Sequence, residues 1–484
     1  IAFEDLYLST FVTGPRGFRI LGATGDQLGG NGNPYKTSRS VSSAGDFNSD
    51  GFDDIMACAP LAAYEENAEA GVCYVIFGKP TSARTTDINL STFVFTAATG
   101  FKIQSKIASA YFGLAVRGGF DFNHDGHDDL LIGDPTSANI GGVGGGGAYI
   151  LCGRGSAYSY ASFNIEDFVS DGVCTSKIVA GGSGWGSNVD ALGDVNGDGI
   201  DDILIQPPLL PYVAVIFGSD SMATSYDVTD LVDTPNSSLG WLILSTSDVG
   251  AGMGMFVSPA GDANGDGIND ILVSLQYESP LDRPEAGIVY VIYGKVSAGT
   301  VHMDVAVDFF SGPTTGVRIL GSIRTSNLAT ALRGGGDFNH DGVDDILIGA
   351  PGVASSSGEA YVIYGRTGAS QPDIQLSTLS ANPSLGFVIA GDRSKPGQVG
   401  SSVAAIGDWN NDGGVDIAIG AYTYKFGTTY VLYGIAPPTA SPSFAPTGPS
   451  LTPTLAPTRP TFSPTGAPTC APTLTPSYTL TSAP

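Results

Sequence analysis

The stretch Asp46–Asp54, DFNSDGFDD, recurs five more times along the chain. The later copies are DFNHDGHDD from Asp121, DVNGDGIDD from Asp194, DANGDGIND from Asp262, DFNHDGVDD from Asp337 and DWNNDGGVD from Asp408. Each copy has the form D-x-N-x-D-G-x-x-D. Oxygen-bearing side chains at positions 1, 3 and 5, followed by a glycine at position 6, are typical of calcium-binding loops. The six copies therefore predict calcium sites and a repeated architecture.

Calcium binds six to eight oxygen ligands in flexible geometry. We predict about six Ca²⁺ ions, one per repeat, held by side chains at positions 1, 3, 5 and 9 and by the backbone carbonyl of position 7. The alternative is an Asx-type hairpin turn without metal. The predicted ligands, in order of loop position, are Asp46, Asn48, Asp50, Phe52 and Asp54; Asp121, Asn123, Asp125, His127 and Asp129; Asp194, Asn196, Asp198, Ile200 and Asp202; Asp262, Asn264, Asp266, Ile268 and Asp270; Asp337, Asn339, Asp341, Val343 and Asp345; and Asp408, Asn410, Asp412, Gly414 and Asp416.

The acidic loops also explain most of the charge of the chain. The 484 residues carry a formal net charge of −26, and the predicted ligands of each loop contribute three negative charges. The acidity is therefore consistent with metal chemistry. No basic cluster indicates a nucleic-acid partner, and no apolar run reaches the roughly 18 residues that indicate a membrane span.

Several weaker signals favour an extracellular protein. Five cysteines fit an oxidising compartment, and we expect the pairs Cys58–Cys73 and Cys152–Cys174, with Cys470 left over. Asn89 and Asn236 begin N-x-S/T sequons for glycosylation. The sequence begins at Ile1 rather than Met, which we interpret as the result of signal-peptide removal.

The order of apolar segments around each loop predicts the fold. One strand leads into each loop, a second follows it (DDIMACAP, DDILIGAP), a third reads like YVIYG, and a linker often reading D-I-x-L-S-T precedes a fourth. A fourth-strand segment also stands before the first loop, as GFRILG at Gly17–Gly22, and none follows the last third strand, TYVLYG. We therefore predict an all-β, six-bladed β-propeller of four-stranded blades, closed by the N-terminal strand pairing beside TYVLYG. An open solenoid is the alternative.

These motifs resemble the FG-GAP repeat of the integrin α-subunit propeller, over about residues 5–434. The calcium loop, the following DDILIGAP and the YVIYG strand all match that family's pattern. The resemblance implies a propeller whose loops bind calcium through the ligands named above. It differs from the integrin head in having six repeats rather than seven, and no inserted metal-dependent adhesion domain.

A second kind of segment follows the repeats. The domain boundary is predicted at 435/436, with the propeller in residues 1–435 and a Pro/Thr/Ser-rich tail in residues 436–484. Proline recurs mostly every four residues, which favours an extended polyproline-II conformation of up to about 150 Å. We expect this tail to be O-glycosylated, either as a disordered stalk or as an ordered rod that helps subunits assemble.

The histidines and the clustered glutamates are interpreted as loop residues rather than as catalytic groups. His124 and His340 occupy position 4 of their loops and His127 position 7, where we expect loop fillers rather than catalytic bases. Glu65, Glu66 and Glu69 form a glutamate cluster that we interpret as a solvated loop. No catalytic residue is predicted.

The sequence thus predicts a non-enzymatic, secreted, calcium-binding structural glycoprotein. Its expected partners are further copies of itself or other extracellular proteins and glycans, in a surface filament, appendage or matrix. A surface adhesin or lectin that binds a glycan or protein on the propeller face is the alternative. A carbohydrate-active enzyme is a third, less favoured class.

Overall fold

The structure is a computed structural model of the chain. It describes residues 18–22, 28, 39–79, 87–136, 145–155, 161–168, 175–182, 184–207, 212–233, 238–245, 255–295, 303–304, 316–323, 327–368, 371–394, 397–410, 412–422 and 428–434. The chain divides into two units, Ile1–Pro437 and Pro438–Pro484. The second unit lies outside the described residues, so the extended tail stays a prediction.

Short strands account for most of the described secondary structure. In chain order they are β1 (Ile20–Leu21), β2 (Val41–Gly45), β3 (Asp54–Ala59), β4 (Val72–Ile76), β5 (Ile88–Asn89), β6 (Gly100–Gln104), β7 (Val116–Gly118), β8 (Leu130–Asp134), β9 (Gly146–Leu151), β10 (Phe163–Asn164), β11 (Thr175–Ala180), β12 (Asn188–Gly193), β13 (Asp202–Gln206), β14 (Tyr212–Ile216), β15 (Ser225–Asp227), β16 (Gly240–Leu244), β17 (Met255–Gly261), β18 (Asp270–Leu275), β19 (Ile288–Ile292), β20 (Met303–Asp304), β21 (Gly316–Leu320), β22 (Ala331–Gly336), β23 (Asp345–Ala350), β24 (Glu359–Ile363), β25 (Ile374–Gln375), β26 (Gly386–Ala390), β27 (Val399–Gly407), β28 (Asp416–Ala421) and β29 (Thr428–Leu432).

The helices are short and lie between strands. They are α1 (Ile165–Phe168), α2 (Val228–Asp233) and α3 (Val353–Ser356), with 3₁₀ turns at Pro280–Asp282 and Leu376–Ala381. None of the described helices is long and apolar enough to cross a membrane.

Among the described residues the strands form seven sheets: six are each built around one acidic loop, and the seventh is the pair β1-β5. The loop joins the first and second strands, and the third and fourth strands continue the sheet in antiparallel order. In chain order we name them sheet one (β2-β3-β4-β6), sheet two (β7-β8-β9-β11), sheet three (β12-β13-β14-β16), sheet four (β17-β18-β19-β21), sheet five (β22-β23-β24-β26) and sheet six (β27-β28-β29). The predicted four-strand repeat is confirmed in five sheets.

The linker between the third and fourth strands adds a short parallel strand to the preceding sheet. β10 pairs with β6, β15 with β11, β20 with β16 and β25 with β21. These four linkers therefore bridge neighbouring sheets, a role that the strand pattern alone did not predict.

Each pair of successive sheets encloses its own apolar core. Five clusters of buried side chains lie between sheets one and two, two and three, three and four, four and five, and five and six. The second strands are buried on both faces because sheets two to five have a neighbouring sheet on either side, and the outer face of sheet one packs against Ile20, Ile88 and Leu90. This explains why β3, β8, β13, β18 and β23 read as nearly continuous apolar runs rather than alternating patterns.

Charged side chains from several sheets meet where the first strands converge. Asp190 on β12 of sheet three is 1% exposed, and it lies within 2.5–3.2 Å of guanidinium nitrogens of Arg39, Arg117 and Arg333. Arg39 precedes β2 of sheet one, Arg117 lies on β7 of sheet two and Arg333 on β22 of sheet five. Four sheets therefore approach one common axis, as the inner strands of a propeller do.

The predicted closure of the ring is not found. No hydrogen bond joins β1 to β29 among the described residues, and sheet six has three strands there. β1 pairs with β5 in parallel, with Ile20 opposite Ile88. β1 thus has the relation to the linker of sheet one that β6, β11, β16 and β21 have to the linker of the next sheet. The prediction identified the strand type of Gly17–Gly22 but not this partner.

Candidate metal centres

The acidic loops share one backbone conformation that their sequence explains. The glycine at position 6 has φ between +82° and +90° in all six loops, and five of these glycines have no described heavy atom within 4 Å of an added Cβ. Glycine is therefore required for its backbone angle and not for lack of space. Ser49, His124 and His340 at position 4 also adopt positive φ, which identifies the two histidines as loop residues.

The side chains at positions 1, 3 and 5 wrap around the backbone of the loop. In the first loop Asp46 accepts the N–H groups of Asp50 and Gly51, each at 2.9 Å, while Asn48 Oδ1 also accepts the Asp50 N–H. In the other five loops the position-1 carboxylate likewise accepts the N–H groups of positions 5 and 6. The predicted ligand oxygens at these positions thus lie together on a tight turn.

The carboxylate at position 9 has a second role that the sequence did not reveal. All six of these aspartates are at most 1% exposed. Asp129 accepts the backbone N–H of Phe122 at position 2 and that of Gly153 after the third strand, both at 2.9 Å. Equivalent bonds to the glycine after the third strand form in the other five loops. Position 9 therefore fixes the loop to the adjacent end of the third strand of its own sheet.

Burial of this carboxylate is electrostatically unfavourable without a cation. Desolvation raises the pKa of Asp129, Asp202 and Asp270 to about 8 and that of Asp54 and Asp345 to about 7, although the backbone N–H groups oppose the shift. The carboxylates at positions 1 and 5 raise these pKa values further in the first four loops. A cation among these groups would favour the ionised form.

The donor set fits calcium in chemistry, although the side chains do not converge on a finished site. Within the described ranges, no group of three or more His, Cys, Asp or Glu side chains is close enough to hold a metal ion. The sets are nevertheless rich in hard oxygen donors, which calcium prefers. Asp54 Oδ2 in the first loop is also buried without a hydrogen-bond partner in the described part of the chain.

In three loops the aspartate at position 8 connects its loop to the loop of the preceding sheet. The backbone N–H of Asp46 donates to Asp128 Oδ2 at 2.7 Å, and the same bond joins Asp121 to Asp201 and Asp262 to Asp344, each at 2.9 Å. The recurring aspartate at position 8 was visible in the sequence, but its periodicity alone did not show that it reaches the neighbouring repeat. We call this contact the inter-loop bond.

The same contact is close to the glycine that stands just before two of the loops, Gly45 and Gly261, both of which have positive φ. A Cβ on Gly45 or Gly261 would lie 2.2 Å or 2.1 Å from the carboxylate of Asp128 or Asp344. The position-8 residue therefore packs directly on the preceding loop. This packing is not seen at the first and last loops. Asp53, at position 8 of the first loop, is exposed, and Gly407, just before the sixth loop, has no described heavy atom within 4 Å of an added Cβ.

Other candidate residues have definite places. His127 Nδ1 lies 2.6 Å from Ser49 Oγ of the preceding loop, and Glu69 accepts a hydrogen bond from the Tyr111 hydroxyl at 2.8 Å.

The predicted disulfides and sequons have separate outcomes. The Cys58–Cys73 disulfide is confirmed and joins directly opposed residues of β3 and β4. Cys152 is also disulfide-bonded, but Cys174, its predicted partner, lies outside the described residues, as do Cys470 and Asn236. Asn89 is exposed on β5.

Comparison with known proteins agrees with the repeat. Residues 329–363, which cover β22, the fifth loop, β23 and β24, match the family model described as FG-GAP repeat. The chain carries an FG-GAP repeat. The resemblance predicted from the sequence, to FG-GAP and integrin α chains, is confirmed.

Individual relatives extend this similarity over more of the chain. Integrin alpha pat-2 of Caenorhabditis elegans is 27% identical over 272 residues, which are 53% of this chain and 19% of that protein. Integrin alpha-3 of Mus musculus is 40% identical over 101 residues, 20% of this chain and 8% of that protein. Phosphatidylinositol-glycan-specific phospholipase D of Rattus norvegicus is 28% identical over 178 residues, 37% of this chain and 19% of that protein. The matches thus span less than a fifth of each relative.

The inter-loop bond generates a stability prediction. Asp128→Ala removes the acceptor of the Asp46 N–H, and we expect it to lower the free energy of unfolding by about 1–3 kcal/mol. Asp220→Ala is the matched control, since Asp220 is an exposed turn residue. Urea denaturation of both variants in calcium measures the difference. Equal midpoints for the two variants would show that the bond contributes nothing.

Proposed function

We propose that the protein is a non-enzymatic, extracellular, calcium-binding structural glycoprotein that forms part of a surface filament, appendage or matrix. The observation that carries this proposal is the structural use of the loop carboxylates. All six position-9 aspartates hold backbone N–H groups of their own sheet, and three position-8 aspartates hold the preceding loop. Acids engaged in this way serve a scaffold rather than proton transfer to a substrate.

Calcium would act in this scaffold as a structural ion. The side chains at positions 1, 3, 5 and 9 and the carbonyl at position 7 would hold it, about one ion per sheet. The ion would supply positive charge to a loop that carries three carboxylates. Binding to the folded state alone contributes to folding stability, by about 2.7 kcal/mol for a site at a hundredfold excess over its Kd.

Similarity to integrin α chains supports an extracellular, adhesion-type setting. The Cys58–Cys73 disulfide supports the same setting, because disulfides persist in oxidising compartments. The Pro/Thr-rich residues 436–484 would then provide an extended glycosylated element for assembly.

Two other functions remain as outcomes of the tests. One is an adhesin or lectin that binds a glycan or protein on the face of the propeller, which the integrin similarity favours. The other is enzymatic, suggested by the phospholipase D relative, although the match covers 19% of that protein. Binding to a glycan array would favour the first, and turnover of a lipid or polysaccharide substrate the second.

We also propose that the six sheets close into a six-bladed ring, with β1 as the fourth strand of sheet six. Ile20, Ile88 and Leu90 pack against the free face of sheet one, much as Ile319, Ile374 and Leu376 pack in the core between sheets four and five. The exposed end of sheet six offers the matching surface. Trp409 at position 2 of its loop is 60% exposed, whereas the five equivalent side chains are at most 6% exposed.

Calcium removal should destabilise the fold. We expect a chelator to lower the melting temperature by about 5 °C or more, because each bound ion stabilises only the folded state. Asp198→Asn should reduce the calcium stoichiometry by one, whereas Asp220→Asn should leave it unchanged. Calorimetry measures both quantities. An unchanged melting temperature in chelator would contradict structural calcium.

Ring closure can be tested with paired cysteines in a Cys470→Ser background. A Cβ on Gly336 would lie 3.7 Å from Val415 Cβ, within disulfide range, so Gly336→Cys/Val415→Cys is the positive control. Asp53→Cys/Gly407→Cys occupies the equivalent positions across the proposed closure. We expect a disulfide within one chain, detected by mass spectrometry of peptides. A bond between chains, or none while the control pair forms, would overturn closure within the chain.

Electron microscopy of the native secreted material in calcium tests the functional proposal. We expect regular fibres, and we expect them to be altered in the full-length Cys470→Ser variant if the tail cysteine links subunits. Isolated rings without fibres would contradict a filament subunit and favour the adhesin.

A further inference from the structure

The residues that surround the axis form a layer at one position of the repeat. Four residues before the first aspartate of each loop stand, in chain order, Ser42, Arg117, Asp190, Ser258, Arg333 and Ala404. Each lies opposite an equivalent residue of its second strand, respectively Met56, Leu131, Leu204, Leu272, Leu347 and Ala418. The polar residues of this layer were not identified from the sequence, because they fall outside the loop motif.

One carboxylate of this layer, Asp190, is shared by three arginines. Asp190 Oδ2 accepts hydrogen bonds from Arg39 Nη1 at 3.0 Å and Arg333 Nη1 at 2.5 Å, and Arg117 Nε lies 3.2 Å from Oδ1. Burial alone would raise the pKa of Asp190, but the three arginines outweigh it and hold the pKa below its usual range. One carboxylate therefore faces three guanidinium groups, and two further carboxylates, Asp201 and Asp344, line the adjacent cavity.

Two buried hydroxyls at this level lack a hydrogen-bond partner within the described residues, Ser42 Oγ and Ser258 Oγ. Arg117 Nε, although it lies 3.2 Å from Asp190 Oδ1, also makes no hydrogen bond there. Burial lowers the pKa of Arg117, and although Asp190 opposes this, Arg333 and Arg39 lower the pKa further. An additional anion would both accept hydrogen bonds from this layer and reduce the repulsion between the arginines.

A cavity lies beside the cluster. It measures about 390 Å³ and is lined in part by Arg117, Arg333, Asn269, Asp201 and Asp344, within the range of roughly 300–1,000 Å³ typical of small-molecule sites. The two lining carboxylates are already engaged, since each accepts the backbone N–H at position 1 of the preceding loop. The guanidinium groups are only partly covered, with Arg117 35% and Arg333 22% exposed.

We propose that this axial cavity binds a small oxyanion, a carboxylate or a sulfate, through Arg117 and Arg333. A planar guanidinium donates parallel hydrogen bonds to such a group, which fixes its orientation as well as its charge. The oxyanion could come from two sources, a free inorganic ion or the acidic group of a sugar residue. The proposal requires neither calcium binding nor filament assembly, although Asp201, Asn269 and Asp344 at position 8 of their loops line the cavity.

Equilibrium dialysis in calcium at constant ionic strength tests the site, with sulfate and glucuronate as probes and glucose as the uncharged control. We expect saturable binding of one oxyanion per chain and no binding of glucose. Arg117→Gln should weaken this binding at least tenfold, the effect of losing one charge-assisted hydrogen bond. Arg318→Gln is the matched control, because Arg318 lies on the fourth strand of sheet four and pairs there with Asp373. This variant should leave the affinity unchanged.

Asp190→Asn separates an oxyanion site from a purely structural ion cluster. It removes the internal negative charge, so the affinity for the probe should rise. Melting in calcium verifies that each variant is folded, and Arg333→Gln replaces Arg117→Gln if the latter does not fold. Tighter binding of sulfate would indicate a free ion, and tighter binding of glucuronate an acidic glycan. The proposal is overturned if neither probe binds saturably, or if the arginine variants bind as tightly as the wild type.

Discussion

The buried aspartate at position 9 of each acidic loop is the constraint on which the repeat depends. A carboxylate that is removed from water must be compensated by hydrogen bonds or by a cation. In the second loop Asp129 receives N–H groups from position 2 of the loop and from the glycine after the third strand, which lie at the same end of the sheet. This contact forces the first, second and third strands into one register, and it directs the position-2 side chain into the core between sheets.

The contacts between repeats follow from this local arrangement. Once the loop is fixed, Phe47, Phe122 and Phe338 at position 2 are buried in the apolar clusters between sheets. Position 8 then lies against the preceding loop, where Asp128 and its equivalents accept a backbone N–H. Each repeat therefore carries both halves of a junction with its neighbours. Trp409 and Asp53, at the two ends of the series of described loops, are exposed.

The sequence was sufficient for the features that repeat with a fixed period. The strand order, the loop conformation and the Cys58–Cys73 pair were all predicted, because each is local or recurs six times. It was insufficient for contacts between repeats. The partner of β1, the inter-loop bond of Asp128 and the convergence of Arg39, Arg117 and Arg333 on Asp190 join residues at least 68 positions apart. Those contacts depend on how the sheets stack, and one sequence read by itself gives no signal for them.

The central claim is that calcium occupies the acidic loops and compensates their carboxylates. An experimental structure of the full chain grown in calcium, with the anomalous scattering of the ion recorded, tests it most directly. The account predicts one calcium peak in each loop, within about 2.3–2.6 Å of oxygens from positions 1, 3, 5, 7 and 9. Loops that keep only their internal hydrogen bonds, with no metal peak at millimolar calcium, would contradict it.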